Sequence, residues 1–181
     1  MDRYPVGDTD SFRTPVQLYN YYNKLYNFKA DIAASDSNHL HPFYYSLYGE
    51  KKERRNALTK DWSTDIPGAV DGFVFLNHPY SDTRTWMAKA VEQAKKGVGV
   101  VMLAKTPNAE HYWLDYVHDC ASELVFIIGR LKFGHPELQD TFIGNAPFGS
   151  TLVVWQPWLR RPSSGTRVEF VLRETILSEQ N

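Results

Sequence analysis

From Asp71 to Gly129 the chain repeats one unit: a short, continuous apolar run followed by apolar residues at helical spacing. DGFVFLN (71–77), VGVVMLA (98–104) and ELVFIIG (123–129) have the length of strands buried on both faces. TWMAKAVEQAKKG (85–97) lies between the first two and sets Trp86, Ala90, Val91 and Ala94 on one helical face before a Lys-Lys-Gly stop. NAEHYWLDYVHDCA (108–121) separates the second run from the third and reads as another helix, with Asn108 as its cap. Parallel strands need crossovers of this size, so the alternation predicts an α/β chain built on a mostly parallel sheet flanked by helices on both faces. STLVVWQ (150–156) supplies a further buried strand. In TRVEFVLRE (166–174), Val168, Phe170 and Leu172 alternate with polar residues, as on a half-buried edge strand.

The N-terminal third is less regular. Residues 1–13 read as an extended lead-in, and PVQLYNYYNKLY (15–26) as a helix opened by Thr14-Pro15. FKADIAAS (28–35) fits a short strand running into a turn. Residues 36–70 are polar, aromatic and irregular, and carry the cluster Lys51, Lys52, Arg54 and Arg55. At 181 residues the whole, 1–181, is read as a single domain. In that frame 36–70 is an insert suited to contacting DNA phosphates, or simply a solvated face.

Charge and cysteine use remove several functional classes. Twenty Lys and Arg against 21 Asp and Glu give a net charge of −1, unlike a dedicated non-specific nucleic-acid binder; a local patch is still compatible with DNA. A single cysteine, Cys120, excludes a disulfide framework and a cysteine-based zinc site within one chain. His39-x-His41 and the helical pair His111 and His118 have no carboxylates completing a metal set, so no metal is expected. No run reaches the roughly 20 apolar residues of a membrane span, and nothing resembles a signal peptide, so the expected setting is soluble and cytoplasmic. Ser150 lacks a Gly-x-Ser-x-Gly elbow, and no Gly-Lys-Ser phosphate loop exists.

Ligands on open parallel sheets bind beyond the carboxyl ends of strands. Asp31 and Asn77 stand at two such ends. Asn77-His78-Pro79-Tyr80-Ser81 follows its strand directly and combines an amide, a Pro-stiffened turn and an aromatic ring. An amide oxygen and a neighbouring backbone carbonyl can together accept both hydrogens of an amino group, while a ring stacks on a base that has left the duplex. Taken alone, Asn-x-Pro-Tyr is equally the ordinary punctuation of a strand end.

The segment resembles the Asn/Asp-Pro-Pro-Tyr loop of amino-directed methyltransferases, and its context is similar to the phage-type DNA adenine methyltransferase (Dam-like) family. The similarity runs from Thr14 to about Trp155. Thr14-Pro15 resembles the family's N-terminal Thr-Pro motif, and FKADIAA (28–34) its first-strand motif, with Asp31 in the acidic position. Asp61-Trp62 matches a pair preceding the catalytic strand, Trp86 and Lys89 the helix after it. Gly129-Arg130 with Phe133 matches a Gly-Arg-x-x-Phe segment, and Ser150–Val154 the closing strand.

The resemblance implies a Rossmann-like methyltransferase fold. It further implies S-adenosylmethionine as cofactor, held by Thr14, Pro15, Asp31, Ala33 and Asn77, and DNA as partner, with methyl transfer to the adenine amine. Asn77, His78, Pro79 and Tyr80 would be the catalytic loop, with Arg130 and Lys132 joining the 51–55 cluster as phosphate contacts. His78 departs from the family's Pro; its carbonyl serves equally, without the fixed φ. The departure leaves room for a catalytically silent relative that binds DNA, cofactor or a host defence protein. The loop chemistry also suits amines of cytosine, RNA or protein glutamine.

Overall fold

A computed structural model of the protein describes residues 9–47, 49–135 and 145–178. Helix α1 (Val16–Tyr26) begins at Pro15 and ends where Asn27 turns left-handed, φ 50°. The Asn23 side chain then accepts the Phe28 N–H at 2.8 Å, directing the chain into β1 (Phe28–Ala34). There follow β2 (Tyr44–Ser46), a single-turn helix α2 (Trp62–Asp65), β3 (Phe73–Asn77), α3 (Thr83–Lys95) and β4 (Gly99–Lys105). The chain closes with β5 (Glu123–Ile128), β6 (Ser150–Trp155), β7 (Arg167–Leu172) and α4 (Arg173–Ser178).

The strands form one sheet of order β2-β1-β3-β4-β6-β5-β7. All neighbours pair in parallel except β6, which runs against both β4 and β5. Each central strand feeds two layers, which is why its sequence is apolar throughout. Val74, Leu76, Val100 and Met102 pack under Trp62, Trp86, Met87 and Ala90 on one side. Phe75, Val101, Leu103 and Leu152 meet Leu18, Tyr19, Tyr22 and Ile176 of α1 and α4 on the other. The fold class is the one expected, helices on both faces of a mostly parallel sheet.

Two expected elements differ. Residues 108–121 do not form one helix capped by Asn108: the Asn108 N–H bonds the Glu110 carboxylate, and Ala109 has φ +70°. Helical turns begin only at Tyr112 and widen into a π turn over Leu114–His118. The Tyr116 carbonyl accepts the buried Trp155 indole N–H at 2.8 Å, a bond that ties this turn to the sheet in place of a longer helix. In β7, Val168, Phe170 and Leu172 face outward, Phe170 being 70% exposed, because no helix among the described residues covers that side of the edge strand. Phe170 stacks instead on Phe126, ring centroids 5.4 Å apart.

Candidate active site

The connection from β1 leads to β2 on one side, while that from β3 leads to β4 on the other. Their carboxyl ends therefore part, leaving a crevice at this switch point. A cavity of about 540 Å³ occupies it, within the range that small ligands fill. Its walls are the end of β1 (Ile32, Ala33, Ala34, Ser35), the end of β2 and residues after it (Tyr45, Leu47), the turn Asn56–Leu58, and Asn77, Pro79 and Trp86. The irregular insert is thus a wall of this cavity. It is held there by Trp62, whose indole N–H donates to the Ala57 carbonyl at 2.9 Å and whose backbone N–H donates to Gln93 Oε1 at 2.8 Å. Asp61 caps α2 through the Ser63 N–H and pairs with Lys96, so the Asp-Trp pair is a fastening of this wall.

Asn77 is oriented by the N-terminal strap. Its Nδ2 donates to the Phe12 carbonyl at 3.1 Å and to Thr14 Oγ1 at 2.9 Å. A carbonyl only accepts, so the amide can point only one way round. Oδ1 is left buried with no hydrogen-bond partner among the described residues. The strap is fixed at both ends: Asp10 receives the Ser81 N–H (2.8 Å) and hydroxyl (2.5 Å), and Arg13 bridges to Gly134 through two backbone bonds. Phe12 stacks on Phe133 at 5.2 Å.

His78 is 2% exposed, so its imidazole lies inside the fold. Nε2 lies 2.8 Å from Thr83 Oγ1, and that hydroxyl lies 3.1 Å from the Tyr80 carbonyl. The side chain therefore clamps the loop to the first turn of α3, supplying by a buried contact some of the rigidity that Pro would give through φ. Burial holds the imidazole neutral, its pKa driven down to about 3, with the Leu103 backbone opposing. The Tyr80 ring is buried as well. It meets Phe148 (5.2 Å), His78 (5.2 Å) and Phe133 (6.3 Å) edge-on, and burial pushes its hydroxyl far above the usual phenol range.

The remaining sequence candidates are spread around this centre. Of the five residues expected around the cofactor, Ala33 and Asn77 line the cavity. Thr14 touches Asn77, and the Pro15 carbonyl receives the first N–H groups of α1. The Asp31 carboxylate accepts the Leu40 N–H at 3.0 Å, shaping the turn beside the cavity; burial raises its pKa to about 6. Arg54 stacks on Phe43 (4.0 Å) and Arg55 donates to the Gly49 carbonyl (2.7 Å), so half of the basic cluster braces its own loop, while Lys51 and Lys52 are exposed. Arg130 bonds the Ala146 carbonyl, and Lys132 is exposed. No group of three or more His, Cys, Asp or Glu gathers among the described residues, and no helix there is long and apolar enough to cross a membrane.

Sequence reasoning missed the strap residues Asp10, Phe12 and Arg13, the insert residues Tyr45 and Asn56–Leu58, and the ring of Phe148. None sits in a local pattern; Phe12, for example, gains its role through Asn77 and Phe133, both distant in the chain.

No curated protein matches the chain. Among solved structures, a type I restriction-modification system methyltransferase subunit from Streptococcus thermophilus superposes with a TM-score of 0.45 at 14% identity, over 90% of this chain. The chain spans 47% of that protein's length. The family model of the DNA N-6-adenine-methyltransferases (Dam) matches residues 2–178, nearly end to end, and the chain belongs to that family.

Proposed function

We propose that this protein transfers a methyl group from S-adenosylmethionine to the N6 amine of adenine in DNA. The observation that carries this reading is the Asn77 amide, whose Nδ2 is held by Phe12 and Thr14 while its buried Oδ1 has no partner among the described residues. A buried acceptor costs desolvation unless a donor arrives, and an amine supplies one. Asn77 Oδ1 and the His78 carbonyl would accept the two amine hydrogens, drawing the nitrogen lone pair out of conjugation and aiming it. Catalysis is then chiefly positioning.

The cavity between β1 and β3 fits the cofactor by volume and by its small-residue wall, Ala33 and Ala34, which lets a ligand approach the backbone closely. Tyr45, Leu58 and Trp86 offer apolar surface for an adenosyl group. S-adenosylmethionine, when bound, supplies an electrophilic methyl group and a neutral thioether leaving group. Tyr80 would stack the extruded base. Lys51, Lys52 and Lys132, all exposed, are the phosphate contacts of this reading. A phage-encoded enzyme of this kind would work in the cytoplasm of its bacterial host.

The test is incubation with methyl-labelled cofactor and plasmid DNA, single-stranded DNA, RNA or protein in turn. Label on N6 of adenine in DNA is the expected result. Label on another amine, or none alongside intact cofactor binding, would overturn it.

A further inference from the structure

A second polar group waits beside Asn77. Strands β4 and β6 run antiparallel, with Lys105 paired directly to Ser150, so both side chains leave the same face of the sheet. That face is the one holding Leu103, Tyr80 and Leu152. Asn77 pairs with Leu103 on the parallel neighbour, so Lys105 stands two residues, roughly 7 Å, further along the same side. That is about the reach of a purine edge.

The environment of Lys105 does not explain a buried-side lysine as packing. Its Nζ lies 5.1 Å from the Tyr80 ring centroid and 4.8 Å from that of Phe148. Its hydrogen bond to Thr9 Oγ1 is long, 3.4 Å, and no carboxylate among the described residues forms an ion pair with it. Ser150 is 1% exposed, and neither its Oγ nor the Tyr80 hydroxyl has a hydrogen-bond partner among the described residues. An ammonium resting on two rings, on the same face of the sheet as two buried hydroxyls that no described group satisfies, is a set of donors without a full complement of partners. A nucleobase edge provides them.

We propose that Lys105, with Ser150 beside it, reads a ring nitrogen of the target adenine. The inference rests on the adenine-transfer reading and adds a specificity-determining residue to it. Without DNA the ammonium rests against the Tyr80 ring where the base stacks. The entering base displaces it from the ring face to its own edge, where the ring nitrogens next to the amine, N1 on one side and N7 on the other, accept. A donor placed toward N7 separates adenine from cytosine, which has a carbon there; one placed toward N1 does not.

The experiment uses the full chain and duplexes carrying the adenine that the wild type methylates in plasmid DNA, replaced by 1-deazaadenine or 7-deazaadenine. Both analogues keep the amine. Methyl transfer and duplex binding are measured for wild type, Lys105→Met and Lys105→Gln, with cofactor affinity and melting as controls. The wild type is expected to lose about tenfold on one analogue, the size of one charge-assisted hydrogen bond. Lys105→Met should be about tenfold down on plain adenine and indifferent to that analogue, with partial recovery in Lys105→Gln. A Lys105→Met protein that discriminates as the wild type does, or a wild type indifferent to both analogues, overturns the inference. So does a uniform fall on all three duplexes with a weaker salt dependence, which marks a phosphate contact. If Lys105→Met does not fold, Lys105→Gln and the wild-type response carry the test. A wild type inert on every DNA overturns the underlying reading, and with it this one.

Discussion

The two sides of Asn77 are built differently. Toward β1 and β2 lies an open cavity walled by small and apolar residues, Ala33, Ala34 and Leu58 among them. Toward β4 and β6 the space is filled by the protein's own rings, Tyr80 against Phe148 and Phe133, with Lys105 laid across them. One side can admit a ligand as it stands; the other admits one only by moving side chains. In the proposed reading these are a cofactor seat formed beforehand and a base seat formed on entry. A free small molecule gains from a ready cavity, whereas a base already leaving its duplex can displace a few rotamers. Asn77 belongs to both sides and is the part least free to move.

The largest effect should therefore come from Asn77 itself. Asn77→Ala is expected to lower methyl transfer by about 10²–10³-fold, the range for losing one preorganised polar group at a reacting centre. Cofactor affinity and melting should change far less, and turnover within a fewfold of wild type would place the chemistry elsewhere.

The open side is sharpened by filling it. Ala33→Phe puts a ring into the cavity wall, and overpacking of about 1–3 kcal/mol should weaken S-adenosylmethionine binding by one to two decades. DNA affinity measured without cofactor should hold. Equal loss of both would show that the two sides are one coupled unit.

The loop between them is tested through His78. Its pKa falls from 6.5 to about 3 on folding, so it contributes stability above pH 6.5 that is lost as pH falls toward 3. Asp31 acts in the opposite sense: raised from 3.8 to about 6, it contributes stability below pH 3.8 that is lost as pH rises through 6. Between pH 4 and 6 the two slopes oppose. His78→Gln keeps a hydrogen-bonding group for Thr83 and cannot titrate, so denaturant melts of that variant should show stability falling from pH 4 to 6. A slope unchanged from wild type would mean the imidazole is not the group being titrated. His78→Pro, which restores the family's residue, removes the Thr83 contact, and a lower melting temperature with transfer retained is the expected outcome.

The smallest effect concerns the strap. Thr14→Val deletes one of the two acceptors on Asn77 Nδ2 while Phe12 keeps the other. Loss of about 1 kcal/mol of orientation should slow transfer roughly fivefold with little change in cofactor affinity. A cofactor affinity that falls in step with the rate would make Thr14 a ligand of the open side instead.

His78 also bears on the silent-relative reading that its departure from Pro suggested. The imidazole is a buried clamp in hydrogen-bonding distance of Thr83, so the substitution replaces one way of stiffening the loop with another.

What the sequence determined by itself is whatever repeats locally. Apolar runs such as FVFLN and GVVMLA, separated by an amphipathic helix, leave no arrangement but parallel strands buried on both faces, and β3, α3 and β4 stand where that pattern puts them. Asn77 at a strand's carboxyl end was legible for the same reason. The break-up of 108–121 and the outward apolar face of β7 were not, because a tryptophan bond from β6 and the lack of a covering helix among the described residues are facts about neighbours, not about local spacing. Tertiary structure alone decided that Thr14 serves Asn77, that Asp31 turns to Leu40, that Arg54 and Arg55 brace their own loop, and that Lys105 lies on Tyr80. The Thr14–Asn77 and Lys105–Tyr80 contacts join residues far apart in the chain, brought close by the order in which strands settle beside one another; that order, set by burial summed over the whole sheet, is written in no single segment.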